Sequence, residues 1–120
     1  MSQETFKAKA YLKADCPYSF KYLLFMAEAG LLDRIEVILC RPETAEYATV
    51  KATLAAATSK PAMFPTVEIE PGRYMSDSNQ LIVHYSRAGN VAAKDLPALS
   101  FYREGIFPQL VELHKQDHSH

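Results

Sequence analysis

The sequence is poor in cysteine, and its two cysteines, Cys16 and Cys40, are too few to build a disulfide framework. A domain of 120 residues does not need one, so we expect a reducing, cytoplasmic setting. No stretch is apolar over the length of a membrane span, and residues 1–5 lack the apolar core of a signal peptide. The formal net charge of −1, with no obviously basic face, offers nucleic acid no electrostatic attraction. We therefore expect a protein that binds neither membranes nor nucleic acids.

The hydrophobic pattern predicts one small α/β domain. Apolar residues alternate from Phe6 to Leu12 as in a strand, and the run from Arg34 to Leu39 predicts a second, mostly buried strand. Pro71-Gly72 predicts a tight turn between two further short strands. Helical segments over 20–32, 42–58 and 76–89 separate or follow the strands, which predicts a mixed four-stranded sheet. In the first helix, the residues with helical spacing are Phe20, Leu23, Leu24, Ala27 and Leu31.

The stretch from Asp15 to Ser19 lies where the first predicted strand turns into the first predicted helix. Pro17 fits the first helical position, where its missing N–H costs nothing. A thiol at Cys16 faces the unpaired N–H groups and the positive end of the helix dipole, which favour its thiolate. Cys16 is therefore the candidate nucleophile, and the alternative is an inert cysteine buried at a strand end. We interpret Cys40 as a small packed residue.

With this order of elements and the Cys16-Pro17-Tyr18-Ser19 motif after the first strand, the chain resembles the thioredoxin superfamily. It is most similar to the glutathione-binding N-terminal domain shared by glutaredoxins and glutathione transferases. Residues 60–67 resemble the family's proline-containing lead into the third strand, where the second proline, here Pro65, is cis. Asp77-Ser78 resembles the Glu-Ser pair that starts the third helix, and Gly30-Leu31 resembles the Gly-Leu that ends the first. The resemblance covers the chain from about Lys7 to Gly89 and implies a thioredoxin-like fold (βαβαββα) with one additional C-terminal helix.

The resemblance implies a glutathione-dependent thiol transferase or reductase with Cys16 as nucleophile. Ser19 stands where a second motif cysteine would be, so a second glutathione must resolve the mixed disulfide. Phe64 would offer backbone groups to the peptide part of glutathione. The Ser78 hydroxyl and the start of its helix suit the γ-glutamyl carboxylate, and Asp77 suits the ammonium group. The residues that the resemblance assigns to glutathione binding are Tyr18, Lys51, Lys60, Phe64, Pro65, Asp77 and Ser78, with the two lysines as alternatives for the glycyl carboxylate.

Other functions remain open at this point. Transferases of the family continue into a second helical domain, whereas this chain has room for one extra helix, and the charge of Asp15 works against a thiolate. These departures favour a non-catalytic, transferase-like binding or assembly module. A monothiol glutaredoxin that holds an iron–sulfur cluster through Cys16 and glutathione is a further alternative. The second substrate is a thiol, a disulfide or an electrophile that the sequence does not specify.

The C-terminal part of the chain predicts a contact surface. We divide the chain into a glutathione-binding domain over 1–90 and a linker, an extra helix and a polar tail over 91–120. The tail carries His114, His118 and His120, which we interpret as solvated rather than metal-binding. Because monomers seldom expose a large apolar patch, we expect a homodimer through the 96–114 helix, the alternative being a helix that folds back onto the core. The apolar positions of that helix are Leu99, Tyr102, Ile106, Leu110 and Leu113.

Overall fold

The computed structural model describes residues 6–117. In chain order the elements are strand β1 (Ala8–Lys13), helix α1 (Pro17–Glu28), strand β2 (Ile35–Cys40), helix α2 (Ala45–Thr58), strands β3 (Thr66–Glu70) and β4 (Arg73–Ser76), and helix α3 (Ser78–Gly89). A C-terminal helical segment follows, made of α4 (Pro97–Phe101), a π-turn (Tyr102–Ile106) and α5 (Phe107–Asp117). Single 3₁₀ turns lie at Leu32–Arg34 and Ala93–Asp95. The predicted α/β class is confirmed.

The four strands form one mixed sheet in the order β2-β1-β3-β4. β1 runs parallel to β2 and antiparallel to β3, and β4 returns antiparallel to β3. Thr66 pairs with Tyr11 of β1 on one side and with Ser76 of β4 on the other. The end of β1, the start of β3 and the end of β4 therefore meet at the same edge of the sheet.

Helices α1 and α3 pack against each other and share a hydrophobic core with one face of the sheet. α2 packs against β2, and its Leu54 is buried outside that core cluster. On β2, Ile38 and Cys40 alternate with the core residue Ile35, which places α2 against the opposite face of the sheet. The core cluster consists of Ala8, Ala10, Leu12, Tyr22, Phe25, Met26, Leu31, Ile35, Val67, Leu81, Ile82, Tyr85, Leu96 and Leu99.

The buried side of α1 differs from the apolar stripe that the sequence predicts. Tyr22, Phe25 and Met26 are fully buried, whereas Phe20 is 47% exposed. The helix carries apolar residues around most of its circumference, and α3, α4, α5 and the sheet all pack against it. Helical spacing cannot single out one side of such a helix.

The prediction that the second strand is mostly buried is wrong. Only Ile35 and Cys40 of β2 are buried, and Val37 and Leu39 are 41% and 49% exposed. β2 is an edge strand, so no other strand covers its outer side within residues 6–117. Its apolar residues therefore form a partly open surface beside α1.

The C-terminal segment is joined to both ends of α1. The Glu28 carboxylate, at the end of α1, accepts hydrogen bonds from the N–H groups of Ala98 (2.7 Å) and Leu99 (2.8 Å). These N–H groups open α4 and have no partner within the helix, so Glu28 acts as their cap. At the other end of α1, the Tyr102 hydroxyl donates to the carbonyl oxygen of Pro17 at 2.8 Å. Because Leu96 and Leu99 belong to the core cluster, residues on either side of the predicted boundary at 90 share one core.

The π-turn interrupts the C-terminal helical segment between α4 and α5. The Phe107 N–H donates to the carbonyl of Tyr102, five residues earlier. Pro108 has no N–H, and in an α-helix its ring would press on the carbonyl four residues before it, which the wider turn relieves. No helix within residues 6–117 is long and apolar enough to cross a membrane.

Candidate functional site

Cys16 is the N-cap residue of α1, in an extended conformation, and Pro17 occupies the first helical position as predicted. The sulfur lies 3.9 Å from the carbonyl oxygen of Phe64. The peptide bond between Phe64 and Pro65 is cis, as the resemblance implies. Cys16 itself is 7% exposed. The structure thus brings the predicted nucleophile together with two predicted ligand-binding residues at one edge of the sheet.

Ser19 fixes the turn that carries Cys16. Its side chain is buried, and its hydroxyl accepts a hydrogen bond from the Lys13 N–H at 3.0 Å. This bond ties the first turn of α1 to the last residue of β1. A serine at this motif position therefore has a structural role, in addition to lacking the thiol that would resolve a disulfide.

An aromatic stack connects Phe64 to one of the two candidate lysines. The rings of Tyr47 and Phe64 are stacked with centroids 5.7 Å apart, and the Lys51 amine lies 5.3 Å from the centroid of the Tyr47 ring. Lys60 is exposed beyond the end of α2, and its side chain makes no hydrogen bond or ion pair within residues 6–117. Of the two lysines, Lys51 is the one linked to the Cys16 side of the molecule.

Asp77 is the N-cap of α3. One carboxylate oxygen accepts hydrogen bonds from the N–H groups of Asn79 (2.8 Å) and Gln80 (3.4 Å). The backbone angles of Asp77, φ 80° and ψ 109°, are rare for a residue with a side chain, and such strain concentrates at functional sites. Ser78 is only 3% exposed. Two of the helix-start donors expected to bind a carboxylate are therefore occupied by Asp77, and the Ser78 side chain is largely covered.

A cavity beside Cys16 is lined by neither Pro65 nor Asp77. It has a volume of about 500 Å³ and is mainly apolar. Among the predicted site residues only Cys16 lines it, and its wall includes Leu39 of the open edge strand. Residues of the C-terminal segment form the rest of one side. The lining residues are Leu12, Lys13, Ala14, Asp15, Cys16, Pro17, Ser19, Phe20, Leu23, Leu39, Tyr102, Leu110, Leu113 and His114.

Tyr102 is the site residue that sequence reasoning missed on this side. Burial, and secondarily the charge of Cys16, raise the pKa of Tyr102 to about 12. The Phe20 ring meets the Tyr102 ring edge-on, with centroids 4.9 Å apart. In the sequence Tyr102 was one of several apolar positions of a helix, and nothing local to it indicates a contact with the Cys16 turn.

Lys21 is the second residue that the sequence did not indicate. It is 3% exposed, and its amine donates a hydrogen bond to the side-chain oxygen of Asn79 at 2.9 Å. The amine also lies 4.3 Å from the centroid of the Phe107 ring and 5.9 Å from that of Tyr18. Burial and then the nearby Arg103 lower the pKa of Lys21, and Asp77 opposes them. The predicted site residue Tyr18 thus packs beside a buried cation rather than beside Cys16.

Within the described residues, no group of three or more histidine, cysteine or acidic side chains is placed to hold a metal ion. His118 and His120 of the predicted solvated tail lie outside the described residues. Cys16 and Cys40 are both free thiols.

Comparisons with protein-family models, with curated proteins and with solved structures found no match to this chain. The structure is that of an α/β domain with a mixed four-stranded sheet and a cysteine at a strand-to-helix junction, where its sulfur faces the carbonyl before a cis proline.

Proposed function

We propose that the protein is a glutathione-dependent thiol transferase or reductase of the thioredoxin superfamily, with Cys16 as its nucleophile. The observation that carries the proposal is the convergence at one sheet edge of the Cys16 sulfur, the carbonyl before cis Pro65, and the strained N-cap Asp77. A cysteine at a helix N-terminus is in the environment that favours a thiolate. The fold class and the element order agree with the glutaredoxin-like domain that the sequence resembles.

The proposed reaction is a pair of thiol–disulfide exchanges. The Cys16 thiolate attacks the glutathione sulfur of a mixed disulfide, a Cys16–glutathione disulfide forms, and the other sulfur leaves as a thiolate that takes a proton from water. A second glutathione thiolate then attacks the bound glutathione sulfur, which releases oxidised glutathione and restores the Cys16 thiolate. Ser19 cannot carry out this second step, because it has no thiol. Its hydroxyl instead accepts a hydrogen bond from the Lys13 N–H.

Glutathione would lie along the edge between Cys16 and the start of α3. The backbone of Phe64 is adjacent to the sulfur and suits the peptide part of the ligand. Lys51, linked to Phe64 through the Tyr47 stack, is better placed for the glycyl carboxylate than Lys60. Only one carboxylate oxygen of Asp77 is used by the helix start, so the other is available for the ligand's ammonium group.

The cavity beside Cys16 indicates the class of the second substrate. Its lining is mainly apolar, with leucine, phenylalanine and tyrosine residues beside a few polar ones, and its volume of about 500 Å³ suits a small organic group. We propose that the second substrate is an apolar disulfide or electrophile. Its reactive sulfur or carbon would reach Cys16, which lines the cavity and also lies next to Phe64.

Two observations favour the second candidate function, a non-catalytic binding or assembly module. Cys16 is 7% exposed, which restricts the approach of a second sulfur. The Asp15 side chain lines the same cavity as Cys16, and its charge opposes a thiolate there. Such a module would keep the glutathione site and lose the turnover.

We also propose a reducing, cytoplasmic setting and self-association through the C-terminal segment. Both cysteines are free thiols. Phe101, Ile106 and Leu113 of the segment are 71%, 41% and 57% exposed, although Leu99 and Tyr102 are buried against α1. Part of the predicted helix thus folds back onto the core, and the remaining apolar side chains offer a surface to a second copy.

The decisive experiment is the intact mass of the protein after incubation with oxidised glutathione. We expect one glutathionyl adduct on the Cys40→Ser variant, none on Cys16→Ser, and loss of the adduct when reduced glutathione is added. An adduct on Cys40 alone, or no adduct on either variant, contradicts the proposed enzymatic function. If the adduct forms and reduced glutathione does not remove it, the binding module is the correct function.

A further inference from the structure

Two hydroxyl groups join the two halves of the proposed glutathione site. Thr66 follows Pro65 at the start of β3 and is 1% exposed, and Ser76 precedes Asp77 at the end of β4. The two residues lie opposite each other in the β3–β4 pairing, and their hydroxyl oxygens are 2.6 Å apart. The Thr66 hydroxyl also lies 2.6 Å from the carbonyl oxygen of Met63. A short chain of hydrogen bonds therefore runs from the end of β4 to the segment that precedes β3.

The direction of this hydrogen-bond chain follows from its last acceptor. A carbonyl oxygen can only accept, so the Thr66 hydroxyl donates its single proton to Met63. The hydrogen bond between the two hydroxyls must then be donated by Ser76 to the Thr66 oxygen. Hydrogen bonds in such a series polarise and strengthen one another. Removal of either hydroxyl should therefore weaken the hold on the Met63 carbonyl.

The Met63 carbonyl shares a peptide unit with the N–H group of Phe64. This unit is planar and trans, so the N–H points in the direction opposite to the carbonyl, away from Thr66. Within residues 6–117 the Phe64 N–H makes no hydrogen bond to another backbone group, and Phe64 is only half-buried, so the donor is available to a ligand. The carbonyl of Phe64 faces the Cys16 sulfur at 3.9 Å, which places this donor in the residue next to the nucleophile.

We propose that Thr66 and Ser76 are positioning residues for glutathione, which act through the Phe64 N–H. Their hydrogen bonds hold this donor in the orientation that the cysteinyl carbonyl of glutathione requires. The inference rests on the proposed function and concerns the peptide part of the ligand. The same hydroxyls fix β4 against β3 immediately before Asp77, so they also hold the donor for the peptide carbonyl in register with the carboxylate for the ammonium group.

Three threonine substitutions separate this role from a loss of stability. Thr66→Val removes the shared hydroxyl and keeps the branched shape and the strand preference of the side chain. Thr66→Ser keeps the hydroxyl and is the rescue variant. Thr58→Val is the matched control, because the Thr58 hydroxyl also donates to a carbonyl, that of Leu54 at 2.8 Å, in the last turn of α2. Both valine variants lose a partly buried hydrogen bond of the same kind, but only Thr66 is linked to Phe64.

The test is titration calorimetry with S-methylglutathione, which cannot form a disulfide. We expect Thr66→Val to weaken binding by about three- to tenfold, the usual effect of one lost hydrogen bond, and Thr66→Ser and Thr58→Val to stay within about twofold of the wild type. In amide NMR spectra, the Phe64 N–H proton should move downfield when the ligand binds to the wild type and to Thr66→Ser. The shift should be smaller in Thr66→Val, whereas a general loss of stability would not act on this one resonance.

Ser76 provides a second, independent pair of variants if Thr66→Val does not fold. Ser76 is half-buried at the end of a strand, so Ser76→Ala should fold, and Ser76→Thr keeps the hydroxyl. We expect Ser76→Ala to weaken S-methylglutathione binding by about two- to threefold, because the hydrogen bond from Thr66 to Met63 remains. Ser76→Thr should bind as the wild type does. Equal affinity of the two Ser76 variants would exclude a role for this hydroxyl and overturn the inference.

Wild-type affinity of Thr66→Val for S-methylglutathione overturns the positioning role and leaves the proposed function intact. Equal losses in Thr66→Val and Thr66→Ser also overturn it, because packing and not the hydroxyl would then be responsible. An equal loss in Thr58→Val would assign the effect to stability and overturn it as well. If the wild type neither binds S-methylglutathione nor takes a glutathionyl adduct, the proposed function and the positioning role fail together.

Discussion

The hydroxyl of Tyr102 donates a hydrogen bond to the carbonyl oxygen of Pro17, the residue after Cys16. A side chain of the C-terminal segment is thereby joined to the first turn of the helix that carries the nucleophile. Residues 85 positions apart in the sequence are held at 2.8 Å, so the segment is part of the wall of the site and not an appendage to it.

Tyr102→Phe should lower the free energy of unfolding by about 0.5–1.5 kcal/mol, the usual worth of one hydrogen bond. The effect should depend on pH. The pKa of Tyr102 is raised to about 12 in the folded protein, so the folded state holds the phenolic proton more tightly than the unfolded state does. That contribution is complete below pH 10 and is lost as the pH rises toward 12. Urea unfolding of the wild type and of Tyr102→Phe measures this contribution. The wild type should lose stability relative to Tyr102→Phe between pH 10 and pH 12, and a relative gain of stability there would contradict the raised pKa of Tyr102.

Alkylation should distinguish the two cysteines. Burial raises the pKa of Cys40, whereas Cys16 lies at the N-terminus of α1. We expect iodoacetamide to modify Cys16 in the Cys40→Ser variant about tenfold faster at pH 7 than Cys40 in the Cys16→Ser variant. Equal rates in the two folded variants would mean that burial of Cys16 and the charge of Asp15 outweigh the helix dipole, and would favour the binding module.

Three substitutions of Asp77 should separate its cap from its charge. Asp77→Ala removes the acceptor for two N–H groups and should cost about 0.5–2 kcal/mol of stability. Asp77→Gly should cost less, because glycine is a fair N-cap and adopts φ 80° without strain. Asp77→Asn keeps the acceptor and should leave the thermal midpoint near that of the wild type while it weakens glutathione binding. Unchanged affinity in Asp77→Asn would limit Asp77 to its role as a cap.

The two hydrogen bonds that the Glu28 carboxylate accepts should determine how firmly the C-terminal segment is held against α1. Glu28→Ala leaves the Ala98 and Leu99 N–H groups without their cap, so amide hydrogen exchange over 96–104 should become faster. Glu28→Gln keeps one oxygen acceptor and should show a smaller change. If exchange in this range is the same in all three proteins, the buried Leu96, Leu99 and Tyr102 hold the segment without the hydrogen bonds to Glu28.

Self-association should respond to the exposed apolar residues of the C-terminal segment. We expect a dimer in sedimentation at micromolar concentration, and a shift to monomer in Phe101→Ser and Leu113→Ser, which remove little buried surface. Met63→Ser is the control, because Met63 is also 48% exposed and lies between α2 and β3, outside the segment. A wild-type monomer refutes the dimer, and a dimer unaffected by both substitutions shows that the contact lies elsewhere.

Local patterns predicted the elements of this fold well. The Cys16 turn, the hairpin at Pro71-Gly72 and the helix start at Asp77-Ser78 depend on residues that are adjacent in sequence, and the structure has each of them. The exposure of β2 could not be predicted, because it depends on which strand lies at the edge of the sheet. The roles of Lys21 and Tyr102 were missed for a similar reason, since their partners lie 58 and 85 positions away.

The π-turn has a consequence for the Cys16 cavity that concerns helical phase. Each residue of an α-helix advances about 100° around the axis, so the extra residue of the turn rotates all of α5 by about that angle. The inward side accordingly moves one position along the chain: Phe107 and His114 are half-buried, whereas Ile106 and Leu113, the phase-matched positions of an uninterrupted helix, are exposed. Deletion of Gly105 alone would remove the turn and keep Phe107 and His114 on the inward side, because each would then take the preceding position of an uninterrupted helix. The π-turn thus absorbs one extra residue and places His114 beside Leu113 at the cavity that Cys16 lines.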